Sequence, residues 1–106
     1  MLLVTTETVP GKRLEPLGIV KGSTIQSKHI GKDIGEGLKT LVGGELRYYT
    51  QMMDEARGIA TDRMVAEAKA LGADAVIGVR IATSAVMQGA AEVIVYGTAV
   101  RVTDAE

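Results

Sequence analysis

The sequence predicts an α+β fold: a small antiparallel sheet of about three main strands, packed by one long helix with a short helix before it. Three observations lead there. An apolar pattern of helical period runs from Glu45 to Leu71. Gly72-Ala73-Asp74 then turns the chain, and Ala75 to Arg80 (AVIGVR) reads as a buried strand. Last, the alternating segments Asp74 to Val86 and Ala91 to Thr103 flank the short link Met87-Gln88-Gly89-Ala90, the pattern of a β-hairpin.

The elements follow in order. Leu2 to Thr6 is a short apolar, β-branched segment suited to an edge strand, and Pro10-Gly11 is a turn. Leu17 to Ser27 is β-branched and reads as a strand. Its Gly18 and Gly22 share a face, which signals a bulge or the close approach of another backbone. Ile34, Leu38, Leu41 and Val42 recur at helical spacing. They predict a short helix from Asp33, with Asp33 and Glu36 as a capping box. Gly43-Gly44 ends it.

In the long helix, Leu46, Tyr49, Met53, Ala56, Ala60, Met64, Ala68 and Leu71 form one stripe. Met52, Ile59, Ala66 and Ala70 form a second beside it. Together they span an arc of roughly 200°, against the ~100° that packing on one sheet requires. Gly72 is placed to cap the helix. In the first hairpin strand Ile77, Val79 and Ile81 are expected on one face, with Val76, Gly78, Arg80, Ala82 and Ser84 on the other. The Leu17–Ser27 strand is expected beside the final strand, which leaves one sheet face uncovered. That face and the surplus helical arc both call for neighbouring subunits rather than solvent.

A chain of 106 residues is expected to form one domain over 1–106. Its 12 basic and 13 acidic residues balance to a net charge of −1, without the basic excess of a nucleic-acid or anionic-membrane binder. There is no cysteine, which removes disulfides, thiolate metal sites and cysteine nucleophiles and fits a reducing cytoplasm. No apolar run approaches the ~18 residues of a membrane span. Phe and Trp are absent, so Ala, Val, Ile, Leu and Met must build the core.

The ordered stretches LGIVKGS (17–23), SKHIG (27–31), GGE (43–45), Tyr49-Thr50, Ala56-Arg57, Arg63-Met64, Glu67-Ala68, GADAVIGVR (72–80) and YGTAV (96–100) resemble the YbjQ-like family. The resemblance covers about Val4 to Val102. It implies a dodecin-like subunit assembled as a ring-shaped homopentamer, and it carries a label of heavy-metal binding. It supplies no catalytic residues.

Candidate chemistry is sparse. His29 is the only imidazole, and it is the candidate metal ligand if a ring gathers one copy per subunit. Met52, Met53 and Met64 lie in the apolar arc, where gap-filling is their role. Arg63 and Glu67 stand four apart inside that arc and are expected to pair with each other or across a subunit boundary. Arg80 projects from a strand of small neighbours. Arg57, Arg63 and Arg80 are the candidate groups for a small anionic ligand, with Glu67 beside them, or else interface charges. The Gly31–Gly44 stretch contains Gly35-x-Gly37 but lacks the third glycine and the lysine–hydroxyl pair of phosphate loops. No nucleophile–base pair is evident. The reading is a non-enzymatic, homo-oligomeric binding or scaffold protein. The alternative is heavy-metal sequestration, and an enzyme with a carboxylate base is the least favoured.

Overall fold

The computed structural model describes residues 1–27, 44–87 and 90–105. Among these, four strands and one helix follow the chain as β1 (Leu2–Leu3), β2 (Lys12–Ser27), α1 (Gly44–Ala70), β3 (Ala75–Met87) and β4 (Ala90–Asp104). The short helix expected from Asp33 lies outside the described residues, as do His29 and Gln88-Gly89 of the hairpin link.

The four strands form one mixed sheet in the order β1-β3-β4-β2. This corrects the expectation of three antiparallel strands. The β2–β4 and β3–β4 pairs are antiparallel as expected, but β1 adds a fourth strand parallel to β3, with Leu2 opposite Ala75. The intervening β2 and α1 give the long connection that a parallel pair requires. Beyond β1 the ladder continues: Val4 N–H donates to the Val76 carbonyl, and the Val79 and Gly78 N–H groups donate to the Val4 and Thr6 carbonyls.

α1 lies mainly over β2 and partly over β4. Four residues of the predicted stripe, Ala56, Ala60, Met64 and Ala68, are fully buried, whereas Leu71 at its end is 44% exposed. They meet Val20, Val76, Val93, Val95 and Ala99 in an aliphatic core. The small stripe lets the helix sit very close. A Cβ at Gly22 would stand 2.0 Å from the Ala60 carbonyl oxygen, so only glycine fits there. At its C-terminus, Ala73 N–H donates to the Ala68 carbonyl and Gly72 N–H to the Lys69 carbonyl. Gly72 adopts φ +78°, completing a Schellman cap.

The two long strands are irregular at defined points. β2 shifts register against β4 between Pro16 and Gly18, where the sequence signals a bulge. β3 shifts between Ile77 and Arg80, with Gly78 at φ +61°. That bulge inserts one residue and exchanges the faces. Ile77 pairs with Thr98 on the sheet face away from the helix, whereas Ile81 pairs with Val95 on the helix side. The expected shared face for Ile77, Val79 and Ile81 is therefore broken at the glycine.

The molecule is long and thin, 57 × 23 × 15 Å. Its radius of gyration is 17.2 Å, against about 13 Å for a compact chain of this length. From Arg80 to Met87 every residue of β3 is exposed, because α1 does not reach across to it.

Candidate functional site

The predicted charged residues fall into two places. Arg57, Arg63 and Glu67 lie on α1, while Arg80 lies on the far side of the sheet. They do not converge on one pocket.

On α1, Arg57 pairs with Asp54 one turn earlier. Both are partly exposed, so the pair is a weak local support. Arg63 and Glu67 do not meet each other. Arg63 Nη1 donates to the Ser23 carbonyl at 2.7 Å, and Glu67 Oε1 accepts from the Lys21 N–H at 3.3 Å. These backbone groups belong to alternate residues of β2, those pointing away from β4. The sheet order makes β2 an edge strand. A cation and a carboxylate from the helix therefore reach over that edge and occupy two of its open positions, which guards against pairing with a stray strand. Both side chains are exposed in the protomer.

Arg80 follows the Gly78 bulge, which turns it to the face away from α1. Its Nη1 donates to the Thr5 carbonyl at 3.0 Å and to the Val79 carbonyl at 2.9 Å. The guanidinium thus ties the segment after β1 to β3. Its register partner on β4 is Tyr96, and the partner of Tyr96 on β2 is Lys21. Lys21 and Tyr96 were not singled out from the sequence, because cross-strand register carries no local signal.

At the other end of the sheet, Lys12 pairs with Asp104. The hydrogen bond from Lys12, with its charge, holds the Asp104 carboxyl below the usual carboxylate range.

Among the described residues no three His, Asp or Glu side chains gather as a metal set. Met64 is sealed in the core, and Met1 and Met87 lie on the surface. No helix among them is long and apolar enough to cross a membrane.

Residues 1–103 match a family model described as "Putative heavy-metal-binding". A UPF0145 protein of Clostridium novyi is 69% identical over 102 residues, covering 96% of this chain and 99% of its own length. A UPF0145 protein of Thermus thermophilus is 61% identical over 106 residues, covering 99% and 93%. A crystal structure of a Pediococcus pentosaceus protein of unknown function, from the DUF74 family, shares the fold at a TM-score of 0.66 and 19% identity, covering 97% of this chain and 98% of that one. The full-length match and these identities show that the chain belongs to the YbjQ-like (UPF0145) family.

Proposed function

We propose that this chain is a non-enzymatic subunit of a homo-oligomeric scaffold that holds a small anionic ligand. The carrying observation is surplus surface. The protomer exposes 6883 Å², about 1,200 Å² more than the ~5,650 Å² expected of a folded 11.1 kDa monomer. That surplus is comparable with what one partner buries in a specific interface, roughly 800 Å². Apolar side chains contribute to it on the distal half of β3: Ile81 is 51% exposed and Met87 68%. A ring of five is the assembly that the dodecin-like resemblance implies. Charged arginines on both faces supply the affinity for an anion, and among the described residues no acid–base or nucleophilic set supports a reaction.

Light scattering tests the assembly. The expected mass is five times the 11.1 kDa subunit, and a mass equal to one subunit overturns the reading. The family description favours heavy-metal binding as the competing function. Titration with copper, nickel and zinc against a His29→Ala variant decides it. Binding lost in the variant supports that reading, and no binding by the parent protein removes it.

A further inference from the structure

The sheet face turned away from α1 carries a cross-strand row of three polar side chains. Tyr96 pairs with Lys21 on one side and with Arg80 on the other. Val95 is buried toward the helix, so Tyr96, its neighbour, points the opposite way, and Lys21 and Arg80 share that face. With strands about 4.8 Å apart, the two cations start roughly 10 Å from each other across the tyrosine.

Each of the three has capacity left to bind. Arg80 is held by Nη1 alone, on Thr5 and Val79. Among the described residues its other N–H groups have no acceptor, and neither the Lys21 ammonium nor the Tyr96 hydroxyl has a partner. The guanidinium is anchored on the Thr5 side of β3, with its remaining donors unused. The adjoining rows are uncharged: Ile19, Thr98 and Ile77 on one side, and Ser23, Ile94 and Ala82 on the other. The next carboxylate on this face is Glu92, four residues along β4 and so about 13 Å away. Glu67 lies at the strand edge, with its oxygen engaged by the Lys21 backbone. A chain of net charge −1 therefore presents two cations here without a carboxylate between them.

We propose that Lys21, Tyr96 and Arg80 form a binding site for a small diphosphate-bearing ligand. It rests on the reading of the protein as an anion-binding scaffold and adds the residues and the ligand class. Arg80 takes one phosphate through its unused N–H groups, Lys21 takes the other, and the tyrosine hydroxyl donates between them. Two phosphates suit cations that start on strands roughly 10 Å apart, with the Arg80 guanidinium drawn further off toward Thr5.

Inorganic pyrophosphate is the probe, titrated calorimetrically with the particle mass followed by light scattering. The expected result is saturable binding, one per chain, weakened by salt. Lys21→Gln should weaken it about tenfold, the loss of one charge-assisted hydrogen bond, and Tyr96→Phe by a smaller factor. Arg80→Gln should abolish it. That variant also removes a tie to Thr5, so Lys21→Gln and Tyr96→Phe are the deciding variants. Binding undiminished in both overturns the site, as does absent binding by the parent protein. The mass reads the assembly separately. A single-chain mass with binding intact supports the site while refuting the ring, and an oligomer that does not bind refutes the site alone.

Discussion

Gly22 and Gly58 face opposite fates if given a methyl group. A Cβ at Gly22 meets the Ala60 carbonyl at 2.0 Å and the Met64 nitrogen at 2.4 Å, and neither can move without moving the helix. Gly22→Ala is expected to destabilise by about 2–4 kcal/mol. At Gly58 nothing lies within 4 Å, and an alanine there should add about 0.5–1 kcal/mol of helix propensity. Thermal melts of the two variants should therefore shift in opposite directions, and a neutral Gly22→Ala would show that helix and strand are not in contact. Asp104 gives a second prediction. Its folded-state pKa is lowered, so the stability it contributes is present above the unfolded value of 3.8 and is lost as pH falls through the folded one. A carboxyl resonance titrating below that value, and returning to it in Lys12→Ala, is the expected measurement.

At the level of elements, the edge of β2 is where charge is at work. Removing both guards, as in Arg63→Ala with Glu67→Ala, strips two hydrogen bonds from exposed positions and should cost less than about 1.5 kcal/mol. The larger consequence is kinetic: an opened edge should raise turbidity on heating well below the concentration at which the parent protein aggregates. Unchanged turbidity would reduce both residues to ordinary surface charges. The helix and hairpin were legible in the sequence because their patterns are long and end in glycine signals at Gly72 and around Gly89. The bulge and the close approach in β2 were legible for the same reason, since Gly18 and Gly22 each have a steric purpose. The face change in β3 was not, because Gly78 resembles any small residue in an alternating run until its φ is known. Nor was the parallel pairing of β1, since two residues are too few to show a period. Arg63 and Glu67 stood out by type, but their partners are backbone groups, which no residue identity announces.

For the whole molecule, apolar exposure is the quantity to test. Ile81 and Met87 lie on the distal half of β3, which α1 does not cover. Charging both, as Ile81→Lys with Met87→Lys, removes apolar contact area without touching the aliphatic core. The expected outcome is a fall in particle mass with the far-ultraviolet circular dichroism retained. A particle of unchanged mass would place the subunit contacts elsewhere. The sheet order β1-β3-β4-β2 has one more consequence, in time rather than in space. The strand that joins β2 to the rest of the sheet is β4, the last of the described elements in chain order, and its register reaches from Lys12 to Asp104. During synthesis β2 can gain the helix early, but it waits for a strand neighbour until the ribosome has finished β4. For that interval its central edge is already shielded on one side by Arg63 and Glu67, while the side reserved for β4 stays open.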